Sequence, residues 1–207
     1  MDARRTSPSV GRNRDVILEV LRTVLPTSGV VLEVGCGTGE HAVHFAGALP
    51  GLTWHPTDRD PDALESTRAW VTHAALPNLR APQPLDVVGP WPALVLDAVF
   101  TANTIHYSPW ETTPGLFSGA AAALRPGGVL VLYGPFRFGG VLSPESNVRF
   151  EGWLHSQDPR FGVRDRDDLV SLGRPVGLRL EATLPMPANN HLLVFRKGDA
   201  LPPPTWR

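Results

Sequence analysis

The sequence has little of several things that would narrow its function at once. It has one cysteine, Cys36, in 207 residues. No intramolecular disulfide can form, and a reducing compartment is expected. It has one lysine, Lys197, and its remaining basic residues are all arginine. Nineteen basic residues stand against twenty acidic ones, a net charge of -1. Without a run of one sign there is no electrostatic footprint for nucleic acid, and no nucleic-acid partner is expected. No apolar run is long enough to span a bilayer. The stretch "MDARRTSPSVGRNRD" carries charge where a signal peptide has its apolar core. The expectation is a soluble, cytoplasmic protein. Internal repeats and low-complexity tracts are also missing, and no composition step marks a linker. A single domain over 1–207 is therefore expected. Flexible tails are expected at about 1–10 and 198–207, the second because of "LPPPTWR".

What is present is a 42% hydrophobic chain in which strand and helix signals alternate. "NRDVILEVLRTVL" puts Val16, Ile17, Val20, Leu21, Val24 and Leu25 on one helical face, with Asn13 as its N-cap. "GVVLEV" is a short, continuous, β-branched run, the signature of a strand buried on both faces. A helix "GEHAVHFAGALP", a strand "LTWHPTD" and a helix opened by Pro61 follow. "PQPLDV" and "LDAVFTAN" are the third and fourth strands. The helix "ETTPGLFSGAAAAL", the turn "RPGG" and the fifth strand "VLVLYGP" come next. Residues 135–165 carry glycine, proline and serine and read as a lid with one helix. "RDRDDLVSLGRP" is a short helix, and "GLRLEATLPMP" and "NNHLLVFRK" are two strands in close connection. The alternation predicts an α/β fold, a mostly parallel sheet covered by helices on both faces and closed by a C-terminal antiparallel hairpin.

The densest signal is "VVLEVGCGTGEH", residues 30–41. In an open α/β sheet, ligands bind beyond the carboxyl ends of the strands. Gly35, Gly37 and Gly39 stand at that end of the first strand, where glycine allows a tight turn and close backbone approach. The next helix directs its free N–H groups to the same place. A dinucleotide loop needs G-x-G-x-x-G or a final alanine. Here Glu40 takes the last position, where a pyrophosphate would meet a carboxylate. The stretch reads E-x-G-x-G-x-G from Glu33, with Cys36 inside it, and resembles the first motif of class I S-adenosylmethionine (SAM) methyltransferases, in which reading Glu33 is expected to hold a charged part of SAM. SAM carries a sulfonium, an ammonium and a carboxylate and no phosphate. Asp58, about 20 residues past the loop, is where a carboxylate can hold both ribose hydroxyls. Asp60 is a second candidate. The resemblance implies that Asp86 and Val87, in "PLDV", meet the adenine. It also makes "ALRPGGVLVLYGP" the segment leading into the fifth strand.

Five further segments resemble the methyltransferase-like protein 26 family of class I methyltransferases: "RNRDVILEVL", "GTGEHAVHFA", "TANTIHYSPWE", "GLFSGAAAALRPGGVLVLYGPF" and "MPANNHLLVF". That resemblance implies a seven-stranded Rossmann-like sheet with SAM as cofactor and S-adenosylhomocysteine as product. It implies no particular substrate. Cys36 and Glu40 depart from the residues common in the family, mildly enough to leave SAM binding in place.

Methyl transfer needs alignment, exclusion of water and, for a protonated nucleophile, a base. "ANTIHYSPW" follows the fourth strand, where catalytic groups sit in this fold. Asn103 is expected to meet the methionine part of SAM through its backbone. His106 is a candidate general base, or a histidine that only holds the loop. Tyr107 and Trp110 are candidates for an apolar substrate wall or for cupping the sulfonium by cation–π contact, with ordinary packing as the alternative for each. Tyr133, ending the fifth strand, is a further catalytic candidate that faces either the pocket or a helix. Arg12 is a candidate carboxylate clamp for SAM or substrate. Asn13 and Asn189 are candidate substrate contacts, or a helix cap and a turn residue respectively. His41 and His44 lie three apart on a helix without a carboxylate or cysteine cluster to complete a metal site, and no metal is expected.

The leading expectation is a SAM-dependent methyltransferase acting on an O, N or S atom of a small molecule. A nucleic-acid or protein methyltransferase and a non-catalytic SAM-binding regulatory module are the alternatives. "ANTIHY" lacks the Asn/Asp-Pro-Pro-aromatic pattern of base-amino methylation, and no proline–cysteine pair is present to attack a pyrimidine.

Overall fold

The computed structural model describes residues 2–198. Seven strands form one sheet in the order β3-β2-β1-β4-β5-β7-β6. They are β1 (Gly29–Val34), β2 (Leu52–Asp58), β3 (Gln83–Pro84), β4 (Leu96–Ala102), β5 (Leu124–Gly134), β6 (Leu178–Met186) and β7 (Asn190–Lys197). The first five run parallel. β7 pairs antiparallel with both β5 and β6, which closes the sheet with the expected hairpin. This is the Rossmann-like arrangement, with the topological switch between β1 and β4.

Six helices cover the sheet: α1 (Pro8–Val24), α2 (Glu40–Ala48), α3 (Pro61–Ala74), α4 (Thr112–Ala123), α5 (Glu145–Gln157) and α6 (Arg166–Gly173). The strands carry apolar side chains on both faces because both faces are covered. Val31, Ala98 and Phe100 enter one core with Ile17, Leu21, Phe45 and Trp54. Leu32 and Val99, their neighbours in sequence, enter the other with Phe117, Leu169 and Phe195. The period-two alternation of strand side chains thus feeds two cores.

Three expectations change. α1 begins at Pro8, five residues before Asn13, with Ser7 at its cap position. Asn13 is therefore inside the helix and buried, and does not cap it. Proline at the first helical position is the start signal that outweighs the asparagine. The segment before α1 is held as well. Arg5 donates its N–H to Ser66 and accepts from the Trp70 indole, and the Ser7 N–H reaches Glu40. Residues 2–7 are thus strapped to α3 and α2, against the expectation of a free tail; the other expected tail, from 199 on, lies outside the described residues. The third strand shrinks to two residues, since Pro82 and Pro84 remove ladder donors. "RPGG" is a turn set inside β5. Leu124 pairs with Leu96 and Val129 with Ala98, so the residues between them bulge out, with Gly127 at φ +79°.

Candidate functional site

The β1–α2 loop crosses the carboxyl end of the sheet and lines a cavity of about 600 Å³ with the ends of β2 and β4. Gly37 has φ +56°, and a methyl group there would meet nothing within 4 Å, because the position faces the cavity. Gly39 has φ +90° and no such room: a methyl group would lie 2.7 Å from the Thr67 Cα of α3. The loop therefore uses one glycine to open the cavity and another to seat helix on helix. Gly35 abuts Thr104, whose hydroxyl lies 2.2 Å from where a methyl group would stand.

Asp58, at the end of β2, lines the cavity and accepts the Gly37 N–H at 2.9 Å through one oxygen. Its other oxygen accepts from the Asp60 N–H, and Asp60 caps α3 by accepting from Asp62. Asp60, Asp86 and Val87 also line the cavity. Cys36 lines it too, with its sulfur 3.3 Å from the Thr67 hydroxyl, and burial pushes its thiol pKa up. Asn103 follows β4 in the left-handed region at φ +63°, a cost that non-glycine residues accept where function or local bonding demands it. Three carboxylates, Asp58, Asp60 and Asp86, face this space against one cation, Arg59.

A second cavity of about 670 Å³ opens beside the first. Ser9, Asn13, Asn103 and Tyr107 line both, so the two spaces meet there. The chain has two tyrosines, Tyr107 and Tyr133, and both line the second cavity. Tyr133 ends β5 on the cavity side, which settles the orientation that strand alternation left open. It shares that lining with Asn13 and Asn190, and desolvation raises the pKa of its phenol. Asn13 in turn bonds His41 at 2.9 Å. The His41 ring stacks on Phe45, and burial lowers its pKa to about 4, so it is neutral at physiological pH. Neutral His41 donates to the Asn13 carbonyl oxygen, which leaves the Asn13 amide N–H groups as donors at the cavity wall. The segment 135–165 contributes Pro135, Ser146, Asn147 and Phe150 to the wall.

Several expected site residues sit elsewhere. Glu33 is turned into the core, where its carboxylate accepts from the Trp54 indole at 2.7 Å and lines neither cavity. Burial raises its pKa to about 8, so it holds a proton at neutral pH and offers no negative charge to a ligand. His106 is fully buried against Phe136 and lines neither cavity. Its Nδ1 accepts from the Arg164 backbone, its carbonyl accepts from Gly162, and its Nε2 has no partner. Desolvation, helped by the Arg164 charge, lowers its pKa to about 3. The ring ties the loop after β4 to the 160–164 segment, and nothing in that place can take a proton from a ligand. Trp110 lies against the Arg164 guanidinium, 5.7 Å from ring centre to Cζ, and lines neither cavity. Asn189 donates to Ser146 at the surface, and its neighbours Ala188 and Asn190 line the second cavity in its place. Arg12 lines the second cavity and not the first. Sequence reasoning missed Thr38, Thr104 and Ser108 in the first cavity and Asn147, Phe150 and Asn190 in the second. Only Asn190 had a signal, as half of the pair "NN".

No group of three or more histidine, cysteine, aspartate or glutamate side chains suited to a metal occurs among the described residues. No helix among them is long and apolar enough to cross a membrane.

Solved structures with this fold include the S-adenosylmethionine-dependent methyltransferase SibL, 22% identical with a TM-score of 0.76, over 92% of this chain and 56% of that one. An O-methyltransferase family protein from Burkholderia thailandensis is 15% identical with a TM-score of 0.79, over 93% of this chain and 58% of that one. Human N-acetylserotonin methyltransferase, solved in complex with SAM, is 16% identical with a TM-score of 0.75, over 92% of this chain and 53% of that one. The chain thus spans little more than half the length of these proteins, and the likeness concerns the fold. The model of the family described as "Protein of unknown function (DUF938)" matches residues 4–197, and the chain belongs to that family.

Proposed function

We propose that this chain is a SAM-dependent methyltransferase acting on a small molecule, with SAM in the first cavity and the acceptor in the second. The observation that carries this reading is the charge of the first cavity. Three carboxylates against one cation repel a pyrophosphate and suit a ligand with a sulfonium and an ammonium. The open face at Gly37 leaves room for a ligand to lie on the backbone. The five segments that resemble methyltransferase-like protein 26, and the printed names of the structural neighbours, support the same reading.

In this reading Asp58 holds the ribose hydroxyls, Asp86 and Val87 meet the adenine, and the Asn103 backbone meets the methionine part. When bound, SAM supplies an electrophilic methyl group on a sulfonium. An O, N or S atom of the acceptor would take that methyl group, with S-adenosylhomocysteine as the leaving thioether and the proton of a protonated acceptor passing to solvent. The residues shared by the two cavities mark where the reacting atoms meet. Tyr133 lines the acceptor cavity, and its O–H would be available to fix the acceptor. His106 stays out of this scheme because it reaches neither cavity. Residues 135–165 act as the lid that excludes water.

Titration calorimetry with S-adenosylhomocysteine tests the cofactor assignment, with Asp58→Asn as the variant. Hydrogen bonds to a charged group contribute about 1.5–3 kcal/mol. Wild type should bind, and Asp58→Asn should bind at least about tenfold more weakly. Absence of binding to wild type defeats the reading. Methyl-labelled SAM incubated with a lysate of the source organism tests the transfer. Label entering small molecules supports it; label in RNA or protein replaces the acceptor class.

A further inference from the structure

The two cavities carry opposite charge. The second is lined by one ionised side chain, Arg12, and by no carboxylate. Arg12 is exposed, and it has no ion-pair partner among the described residues. A guanidinium placed at a cavity wall with no carboxylate of its own protein is a site for an anion, and its planar fork matches a carboxylate. Part of the lining is aromatic. Tyr107, Phe150 and Trp153 hold one another at ring-centre distances of 5.9, 5.7 and 6.0 Å, the last pair stacked at 16°. Tyr107 is 41% and Trp153 47% exposed, so the trio forms a contiguous water-facing aromatic surface, and two of its members line the cavity. A surface of that kind beside a cavity marks a ligand groove.

We propose that the second cavity takes a planar aromatic acid, its carboxylate against Arg12 and its ring against Phe150 and Tyr107. This rests on reading that cavity as the acceptor site, and it narrows the acceptor class. Arg12 lines only the second cavity, so the carboxylate it holds would lie in the acceptor space and not in the first cavity.

The test compares 4-hydroxybenzoate with its neutral amide, 4-hydroxybenzamide, and with cyclohexanecarboxylate. Binding to full-length protein saturated with S-adenosylhomocysteine is followed by quenching of tryptophan fluorescence and by saturation-transfer NMR. The aromatic acid should bind about tenfold more tightly than the amide, as expected for one partly exposed charge-assisted contact. R12Q should remove that preference, and F150A should weaken acid and amide alike. The cyclohexane acid should bind more weakly than the aromatic one. Equal binding of acid and amide, a preference that survives R12Q, or no binding of any probe to wild type would overturn the proposal. Affinity for S-adenosylhomocysteine, measured on the same samples, separates the two failures. If it does not bind, the methyltransferase reading fails, while the comparison of acid and amide, made without it, still decides the charge preference. If it binds and the preference is missing, only the acceptor class fails. R12Q should leave its affinity within about twofold, since Arg12 does not line the first cavity.

Discussion

Gly37 and Gly39 are two residues apart in one loop, both with positive φ, yet their replacement by alanine should fail in different assays. At Gly37 the added methyl group meets no protein atom within 4 Å, so the folded state bears only the backbone cost of φ +56°. That cost is about 1–2 kcal/mol. The methyl group instead enters the space where the ligand backbone contact is expected, and should reduce S-adenosylhomocysteine affinity at least about tenfold, within the cost of a minor overpacking. At Gly39 the same methyl group stands 2.7 Å from the Thr67 Cα, a backbone atom that moves only if α3 moves. Overpacking adds about 1–3 kcal/mol to a similar backbone cost. Gly39→Ala should therefore lose about 2–5 kcal/mol of stability, clearly more than Gly37→Ala. Urea denaturation read by tryptophan fluorescence gives the stability ranking, and calorimetry gives the binding. Gly37→Ala binding as tightly as wild type would refute the placement of the ligand on this loop. Gly39→Ala as stable as Gly37→Ala would refute the steric reading of α2 on α3.

Three further expectations concern charge and the second cavity. His41 and His106 are buried neutral with pKa values of about 4 and about 3, below the ordinary 6.5. Their contribution is complete above pH 6.5 and is lost as pH falls toward those values, on the order of 2 kcal/mol each by pH 5; urea midpoints of E33Q, which lacks the opposing titration of Glu33, that stay flat from pH 7 to 5 would contradict their neutrality. Glu33 works in the opposite sense, since its pKa is raised to about 8. Its contribution is complete below pH 4.5 and is lost as pH rises toward 8, so E33Q should gain a few kcal/mol on wild type between pH 4.5 and 8, while S-adenosylhomocysteine affinity at pH 7 changes little. Tyr133→Phe removes the phenol hydroxyl from the second cavity and should lower acceptor affinity or turnover about tenfold, the scale of one hydrogen bond to the acceptor left unmade. Its affinity for S-adenosylhomocysteine should hold, and a drop in both would make Tyr133 a general structural residue.

The order of elements was legible because each rests on a local signal. "GVVLEV" is apolar and β-branched throughout, as a strand covered on both faces must be, and Pro61 opens α3 at the position where proline is tolerated. The start of α1 was misplaced because two start signals compete within six residues. Pro8 is the stronger, and Asn13 is spent on His41, a partner 28 residues away in sequence. The first cavity was legible for a related reason. Gly35, Cys36, Gly37, Asp58, Asp86, Val87 and Asn103 all stand within three residues of a strand end, and strand ends converge in a parallel sheet.

The errors share one cause: a residue's type says what it can do, and only its direction says what it does. Glu33 stands two residues before Gly35, yet its side chain lies on the core face of β1, where Trp54 from β2 offers an indole N–H. A charge that no ligand reaches is then cheaper to neutralise than to keep, which is why its proton stays on. His106 follows the same logic with the opposite sign, held neutral by burial and by the Arg164 cation. The second cavity was the least legible because no short stretch encodes it. Arg12 comes from α1, Tyr107 from the loop after β4, Tyr133 from β5, Phe150 from α5 and Asn190 from β7. A site assembled from five separate elements has no spacing to read. Its charge is visible only once the fold has brought Arg12 to a wall that no carboxylate shares.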